Sequence, residues 1–287
     1  MKNKTAVLSA VFPVVLPFVS NLVKSLSEQT IKDFDWVVLN DSINTGLLQK
    51  QIEGSFAYKN IPVAGMKPSQ NRWFGIQHCI AFGYSTIIFQ DADDFMSANR
   101  IENALHLLEK SRVVFHGLSL VDENGAMYKD NIWSERLTSG HIITADFLRD
   151  KNCIGLGNTA IRTDAISKEM DIPHDVIAVD WFIFYQLLQE GAAMYSDKAL
   201  VYYRQYPANA AGIGYLNEER IRKAVTVKQQ HYASLVKRFP ELQREQEKLH
   251  LFQNLILNQP DQLRDYITKN KEKGMTSFWW EETNYSL

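Results

Sequence analysis

The sequence has little cysteine and little net charge. Its 287 residues contain only Cys79 and Cys153, which lie far apart and match no zinc or redox spacing, so we expect neither disulfides nor a cysteine metal site. The seven histidines include no pair at the helical spacing of a metal site. Because 31 basic residues stand against 33 acidic ones, the net charge is −2, which argues against nucleic acid as a partner.

The sequence also lacks an apolar run long enough to cross a bilayer as a helix, which takes roughly 20 residues. The nearest candidate runs from Ala6 to Val19 after two lysines, and it has the look of a short signal peptide. Pro13 and Pro17 interrupt this run and no small-residue cleavage site closes it, so a buried first strand is the favoured interpretation. We therefore expect a soluble, cytoplasmic protein.

Glycine-rich phosphate loops are missing as well. No loop with the Gly, Lys and Ser or Thr pattern of a nucleotide hydrolase occurs, and the Gly-rich, basic N-terminal loop of a sugar nucleotidylyltransferase is absent. The segment 155–160 has the glycine spacing of a dinucleotide-binding loop. The residues before it are polar and do not form a strand, so we reject this interpretation.

What the sequence does contain is an alternation of strand and helix signals over its first hundred residues. Continuous apolar stretches predict strands at Ala6–Phe12, Trp36–Leu39, Ile61–Val63 and Thr86–Phe89. Apolar residues at helical spacing predict helices that begin at Pro17, at Arg72 and after a capping box of Asn99 and Glu102. This alternation predicts an α/β fold, with a mainly parallel, Rossmann-like sheet, helices on both faces and a ligand site at the carboxyl ends of the strands.

The remaining chain divides into a mixed region and a helical region. Short strands and a helix over Asp180–Glu190 occupy residues 101–214, and apolar stripes predict helices beyond Asn217. We thus predict one half at 1–100, a second half at 101–214 and a helical extension at 215–287. Between Glu218 and Lys273, 12 Lys and Arg against 8 Asp and Glu give an excess of +4, and the aromatic residues Phe278–Trp280 follow.

The charge and the aromatic end of this extension suggest two roles. Basic helices with exposed aromatic rings suit weak contact with a membrane surface, and they also suit a homodimer interface. The alternative is that the apolar stripes pack against the rest of the chain.

The strongest chemical signal is the acidic group Asp91-Ala92-Asp93-Asp94, which directly follows the fourth predicted strand. In extended backbone, Asp91 and Asp93 project to the same side. Mg²⁺ and Mn²⁺ are bound by one or two such carboxylates and complete their shells with phosphates and water. A solvated acidic turn is the alternative interpretation.

Five motifs, in their order and spacing, resemble those of family 2 glycosyltransferases with the GT-A fold. The first is the opening, which consists of Pro13–Val15, Lys24–Thr30 and Asp33–Ser42 in that order. The other four are Arg72 with Gly75-Ile76, Phe89–Asp94, Val179–Trp181 and Tyr203–Asn209. The resemblance implies a GT-A fold and an inverting, metal-dependent glycosyltransferase. Its donor would be a nucleoside diphosphate sugar, UDP- or dTDP-linked, and its acceptor a hydroxyl of a glycan or a lipid-linked glycan.

The resemblance also implies a role for individual residues. The nucleotide would be bound by Pro13, Val15, Asp41, Arg72, Asp91 and Ala92. Mn²⁺ or Mg²⁺ would be held by Asp93, and the acceptor would be bound by Trp181, Arg204, Tyr206 and Asn209.

Other roles are open for three of the candidate residues. Because the acceptor hydroxyl must lose a proton, Asp180 is the candidate base, and a helix N-cap is its alternative role. An ordinary core position is the alternative for Trp181, and a helix-surface position is the alternative for Arg72.

Several positions depart from the family pattern. Val14-Val15 replace Tyr-Asn, the glycine of an Asp-Gly-Ser turn is missing after Asp41, and Trp73, Val179 and Tyr206 replace Asn, Glu and His. A second hypothesis therefore stays open, namely a catalytically degenerate protein that only binds a carbohydrate or a nucleotide sugar. A lipid-linked acceptor would favour a peripheral location at the inner face of the membrane.

Overall fold

The computed structural model describes residues 4–52, 56–207, 209, 212–271 and 277–284. The strands in these residues are β1 (Thr5–Val11), β2 (Asp35–Asn40), β3 (Tyr58–Pro62), β4 (Thr86–Phe89), β5 (Phe95–Met96), β6 (Val113–Val121), β7 (Met127–Lys129), β8 (Ile142–Ile143), β9 (Thr159–Arg162) and β10 (Ala193–Arg204). The α-helices are α1 (Val19–Ser27), α2 (Thr45–Ile52), α3 (Pro68–Ala81), α4 (Arg100–Leu108), α5 (Val179–Leu187), α6 (Glu218–Leu235), α7 (Gln243–Phe252) and α8 (Pro260–Lys271).

The first four strands form the parallel part of a single sheet. β2 and β4 lie on either side of β1, β3 lies beside β2, and all these pairings are parallel. Every residue of β1 and β4 is buried, as expected for strands that are covered on both faces. The predictions of the first, second and fourth strands are confirmed, whereas the third strand begins at Tyr58 rather than at Ile61.

Alternate residues of β1 pack into two separate cores. Ala6 and Leu8 join one core together with residues of α3 and α5. Val7 and Val11 join the other core, to which α1, α2 and α4 contribute. The predicted sheet with helices on both faces is therefore confirmed.

The sheet continues without a break past residue 100. β9 pairs antiparallel with both β4 and β6, and β10 runs parallel to β6 as far as Arg204. The short strand β5, which directly follows the acidic group, pairs antiparallel with β10. The two predicted halves thus share one sheet, and this sheet brings the ends of β4 and β10 close together.

Two predicted helix starts differ from the structure. Pro13–Phe18 forms a 3₁₀ helix, and α1 begins only at Val19, after Pro17. The helix α3 begins at Pro68 rather than at Arg72, because Pro68 suits a first helical position and Gln70 Oε1 accepts the backbone N–H of Lys67 at 3.1 Å.

The predicted capping box of α4 is wrong. Asn99 Nδ2 donates to the carbonyl of Lys198 at 2.8 Å, and Glu102 Oε2 accepts from Thr30 Oγ1 at 2.9 Å. Both side chains therefore bind neighbouring segments and not the first turn of their own helix.

The C-terminal helices share the larger core with the rest of the chain. Ile221, Tyr232 and Leu235 of α6 belong to the same buried cluster as the strands. The ring of Trp181 in α5 stacks on His231 of α6 with 3.7 Å between the centroids. The predicted boundary after residue 214 therefore does not separate two cores.

The aromatic residues near the C-terminus are buried. Phe278 is 1% exposed, and Trp279 and Trp280 are each 9% exposed. The prediction that these rings face a membrane is wrong, and the alternative of packing against the rest of the chain is confirmed for them. No helix among the described residues has the length and apolar character needed to cross a membrane.

We predict that a chain ending at Gly214 does not fold cooperatively. Removal of α6 would uncover Trp181, which is fully buried in the intact chain, together with the apolar cluster around it. Near-UV circular dichroism during thermal unfolding and size-exclusion chromatography, with the full chain as control, measure the effect. A monomeric fragment with a sharp unfolding transition would contradict the prediction.

Candidate active site at the carboxyl ends of the strands

A cavity of about 420 Å³ opens where β1 and β4 end. It is lined by residues after β1, by the acidic group after β4, by the segment 155–158 before β9 and by the start of α5. The C-terminal extension contributes Lys223, Trp279 and Trp280. This is the position at which parallel α/β sheets bind their ligands.

Asp91 is fixed by contacts with two distant parts of the chain. Arg72 Nη2 in α3 donates to Asp91 Oδ1 at 3.0 Å. On the other side, a Cβ atom placed on Gly157 would lie 2.4 Å from Asp91 Oδ2, so this approach requires glycine. Arg72 therefore lines the cavity as a partner of Asp91, and the alternative of a helix-surface arginine is wrong.

A buried arginine binds the backbone on both sides of this contact. Arg100 is fully buried, and its Nη2 donates to the carbonyls of Phe89 at 2.8 Å and Gly157 at 3.0 Å. Its Nη1 donates to the Gln90 side chain. Burial lowers the pKa of Arg100 to about 9, against the opposing effect of Asp91 and other nearby carboxylates. Arg100 thus joins the end of β4 to the segment that contacts Asp91.

The other two carboxyl groups of the acidic group have different surroundings. Asp93 lines the cavity, and its Oδ2 accepts the hydroxyl of Tyr206 at 2.7 Å. Asp94 is 2% exposed, and its Oδ1 accepts the backbone N–H of Arg204 at 2.8 Å. Burial raises the pKa of Asp93, and the neighbouring Asp91 raises it further. The cause of that second effect is repulsion between carboxylates, which a cation would relieve.

These residues fit one kind of metal site. In the described part of the chain, no three His, Cys, Asp or Glu side chains form a group that could hold a metal ion. Asp93 and Asp91 offer carboxylate oxygens to the cavity. One or two carboxylates together with diphosphate oxygens are the usual share of a Mg²⁺ or Mn²⁺ shell. The site therefore fits a cation that is bound jointly with a diphosphate.

Asp180 lies in the first turn of α5 and lines the same cavity. Its Oδ1 accepts the backbone N–H of Trp181 at 2.8 Å, and its Oδ2 accepts from Asn152 Nδ2 at 3.3 Å. Because Ala178 occupies the N-cap position, the alternative role of Asp180 as a cap is wrong. Burial raises the pKa of Asp180 to about 6, with a smaller contribution from Asp91. The carboxylate is therefore a competent proton acceptor near neutral pH.

Three residues predicted to bind the acceptor form one hydrogen-bonded network next to Asp93. Asn209 Nδ2 donates to the carbonyl of Arg204 at 2.9 Å, and Asn209 Oδ1 accepts the backbone N–H of Tyr206. Arg204 is fully buried, and its Nε donates to the carbonyl of Asp93 at 2.7 Å. For Arg204, the predicted contact with an acceptor is wrong, because its guanidinium is used inside the protein. Tyr206 and Asn209 line the cavity, so their contact with an acceptor stays a prediction, and the Tyr206 hydroxyl fixes Asp93 Oδ2.

Trp181 is a core residue. It is fully buried, stacks on His231, and donates its Nε1–H to the carbonyl of Leu148 at 2.6 Å. The prediction that its ring stacks on an acceptor sugar is therefore wrong.

Some of the predicted nucleotide ligands also lie outside the cavity lining. Ala92 lines it, whereas Pro13, Val15 and Asp41 do not. Val15 is fully buried in the core beside α1, so its predicted contact with a nucleotide is wrong. The Asp41 carboxylate accepts from Ser42 Oγ at 3.0 Å, and Ser42 has a φ of 67° where the family pattern has its glycine-containing turn.

Several lining residues were not predicted from the sequence. Gly157, Lys223, Trp279 and Trp280 lie 60 or more positions beyond the acidic group in the chain, yet they line the same cavity. The glycine spacing at 155–157 was a usable signal for a close backbone approach. No local pattern marked the two tryptophans or the lysine as part of a site.

Solved structures of GT-A glycosyltransferases are similar to this chain. S. aureus TarS 1-349 in complex with UDP-GlcNAc has a TM-score of 0.58 at 14% identity, over 79% of this chain and 66% of that one. The mannosyltransferase PcManGT from Pyrobaculum calidifontis, in complex with GDP-Man and Mn²⁺, has a TM-score of 0.55 at 13% identity, over 83% of this chain and 65% of that one. GalNAc-T7 with UDP, GalNAc and Mn²⁺ has a TM-score of 0.52 at 12% identity, over 71% of this chain and 44% of that one.

These likenesses confirm the predicted GT-A-type fold. The chain spans at most 66% of the length of these three proteins. No protein-family model matches the sequence, and no curated protein matches it.

We predict that Gly157→Ala destabilises the protein by about 1–3 kcal/mol, the usual cost of overpacking. The new methyl group would stand 2.4 Å from Asp91 Oδ2 and would force the carboxylate away. Urea denaturation measures the change in the free energy of unfolding. Gly191→Ala is the matched control, because nothing lies within 4 Å of the Cβ position at Gly191. Equal stabilities of the two variants would contradict the prediction.

Proposed function

We propose that this protein is a glycosyltransferase that moves a sugar from a nucleoside diphosphate sugar to an acceptor hydroxyl with inversion at the anomeric carbon. The observation that carries the proposal is the meeting of Arg72, Asp91, Asp93 and Asp180 in one cavity of a GT-A-type fold. The ligands in the similar structures, UDP-GlcNAc, UDP and GDP-Man, support the same class of donor.

On the donor side, Arg72, Asp91 and Asp93 would hold the diphosphate and the ribose. The guanidinium of Arg72 is 25% exposed and suits a phosphate oxygen. Asp93 would be the protein ligand of Mn²⁺ or Mg²⁺, and the cation would neutralise the charge that develops on the leaving diphosphate. The proposed base is uracil or thymine, on the strength of the resemblance and of the UDP complexes of similar proteins.

On the acceptor side, Asp180 would act as the general base. Its carboxylate takes the proton of the acceptor hydroxyl while that oxygen forms a bond to the anomeric carbon of the donor sugar. The bond from this carbon to the diphosphate oxygen breaks, and the electron pair leaves with the nucleoside diphosphate. One base and one displacement give an inverted product, because no covalent sugar–enzyme intermediate is formed.

The nature of the acceptor remains a proposal from the resemblance alone. A glycan or a lipid-linked glycan is the expected class, and the latter would bring the protein to the inner face of the membrane. The helices α6 and α8, which contain more basic than acidic residues, would then supply the weak surface contact, since each basic residue near an anionic surface adds about 1 kcal/mol.

We predict that Asp93→Ala abolishes the stabilisation of the protein by UDP that depends on Mn²⁺. A ligand that binds only the native state at 100 times its Kd adds about 2.7 kcal/mol to the free energy of unfolding. Thermal unfolding with UDP, with and without Mn²⁺, measures the effect.

Asp261→Ala is the control for this experiment, because Asp261 is exposed, forms an ion pair with Arg264 on the surface of α8 and does not belong to the described cavity lining. UDP shifts that are equal with and without Mn²⁺, in the wild type and in the Asp93 variant, would show that the metal assignment is wrong.

We predict that Asp180→Asn lowers turnover by roughly 10²–10⁴ while UDP binding is retained. The amide oxygen can still accept the N–H of Trp181, but it cannot take a proton. Only the ionised carboxylate is active, so the wild-type rate should fall about tenfold per pH unit below the pKa of Asp180, about 6, and level off above it.

Release of UDP from a panel of UDP-sugars measures these rates, with water as the acceptor where no other is known. If the Asp180→Asn variant had the wild-type rate and pH profile, the assignment of Asp180 as the general base would be wrong. A wild-type protein that binds UDP-sugars and releases no UDP would favour the second hypothesis, a binding protein without catalysis.

A further inference from the structure

The residues 277–284, here called the C-terminal strap, are held against the cavity by ion pairs and hydrogen bonds. Arg136 donates two hydrogen bonds to Glu281, at 2.6 and 2.8 Å, and lies 3.8 Å above the ring of Phe278. Arg220 Nη2 pairs with Glu282 Oε1 at 2.8 Å. These charged pairs are largely buried and fix the strap in one position.

Further hydrogen bonds anchor the end of the strap. Lys228, a fully buried residue of α6, donates to Thr283 Oγ1 at 2.7 Å and also to Asn284. Asn284 Nδ2 donates to the carbonyl of Asp150 at 2.8 Å. The strap is thus tied to α6 and to the segment before β9, both of which border the cavity.

Trp279 is placed in the cavity lining by close contacts on several sides. Its ring lies 3.1 Å from the Cβ position of Gly155, and it meets Trp133 and Tyr203 edge to face at 5.5 and 6.2 Å. A Cβ atom at position 155 would therefore require this indole to shift by a few tenths of an ångström. Gly155 and Gly157 therefore serve two different approaches, one to an indole and one to a carboxylate.

Trp280 adopts a backbone conformation that is rare for a large side chain. Its φ of 66° lies in the left-handed region, which glycine and asparagine adopt far more readily than tryptophan. Such an outlier persists only where the surrounding structure holds it, and it is found most often at binding and catalytic sites. Trp280 is 9% exposed and lines the cavity, so a residue with a rare backbone conformation borders the space in which a ligand would bind.

One residue, Asn152, links the strap to the proposed base. The backbone N–H of Asn152 donates to the carbonyl of Trp279 at 2.8 Å, and its Nδ2 donates to Asp180 Oδ2 at 3.3 Å. The two tryptophans therefore stand on the Asp180 side of the cavity, where the acceptor has to place its hydroxyl.

We infer that Trp279 and Trp280 form the subsite for the sugar ring of the acceptor, an inference that rests on the proposed function. The apolar C–H face of a pyranose can pack on an indole, and the indole N–H can donate to a sugar hydroxyl. A ring held in this way has its hydroxyl positioned for Asp180, and such positioning is a large part of catalysis by proximity. The ligand is therefore a pyranoside, whether it belongs to a free glycan or to a lipid-linked one.

The test uses the full chain with saturating UDP and Mn²⁺. The probes are the methyl α- and β-pyranosides of glucose, galactose, mannose and N-acetylglucosamine. Saturation-transfer difference NMR measures the Kd for each glycoside, and thermal unfolding measures UDP binding in the same samples. We expect at least one glycoside to receive saturation on the protons of one ring face.

Trp280→Gly and Trp280→Asn are the decisive variants, because both residues accept a positive φ and neither carries an indole. We expect each to raise the Kd for the glycoside roughly tenfold and to leave UDP binding unchanged. Phe82→Ala is the matched control, since Phe82 is an aromatic residue that is 61% exposed and lies outside the cavity lining.

The outcomes separate this inference from the proposed function. If the wild type binds UDP but no glycoside, or if the Trp280 variants bind glycosides as the wild type does, the inference is overturned and the donor site stands. If the wild type does not bind UDP in the same samples, the proposed function itself fails, and the inference fails with it.

Discussion

The cavity depends on one electrostatic constraint, the crowding of three carboxyl groups at the end of β4. Burial and mutual repulsion raise the pKa values of Asp93 and Asp94. Two buried arginines offset this charge, Arg100 near Asp91 and Asp94, and Arg204 near Asp93 and Asp94. The guanidinium groups of both donate to backbone carbonyls and uncharged side chains and not to the carboxylates themselves. The carboxylate oxygens of Asp91 and Asp93 therefore keep lone pairs for a ligand, which direct ion pairs with both arginines would have consumed.

The same two arginines explain why distant segments meet at the cavity. Arg100 donates a hydrogen bond to the carbonyl of Gly157, and this bond holds the segment 155–158 against Asp91. Arg204 is the last residue of β10 and binds the neighbouring turn, because its Nη1 donates to the carbonyls of Asp122 and Glu123 at 3.2 and 2.6 Å. A buried guanidinium whose N–H groups lacked acceptors would lower the stability of the fold. Each arginine is therefore stable only where backbone carbonyls surround it. These hydrogen bonds hold the segment 155–158 and the turn after β6 beside the acidic group.

The sequence predicted those parts of the structure that depend on residues close together in the chain. Apolar runs marked β1, β2 and β4 because strands covered on both faces must be continuously apolar, and the acidic group marked the edge where they end. Burial could not be predicted in the same way. Trp181 and Arg204 are residue types that are common in binding sites, yet both are fully buried. Their burial could not be predicted, because their partners His231 and Asn21 lie in helices that are far away in the sequence. The contribution of the C-terminal strap was missed for the same reason, because it depends on ion pairs that join Arg136 and Arg220 to Glu281 and Glu282.

The chemical roles in the cavity follow from the surroundings of each carboxyl group, since the residues are of one type. Asp91 lies 3.0 Å from the guanidinium of Arg72, and Asp93 accepts a hydroxyl from Tyr206, so both are arranged as fixed oxygen ligands. Among the described residues, the donors to Asp180 are the N–H of Trp181 and the amide of Asn152, and neither is a cation or a hydroxyl. Burial then raises its pKa to about 6, which leaves it ionised at neutral pH and still basic enough to take a proton. Because their environments differ, chemically identical carboxyl groups in one site can have different roles. A base with a cationic partner would be ionised but weakly basic, so the hydrogen bonds that Asp180 makes within the described residues support its proposed role in the acceptor step.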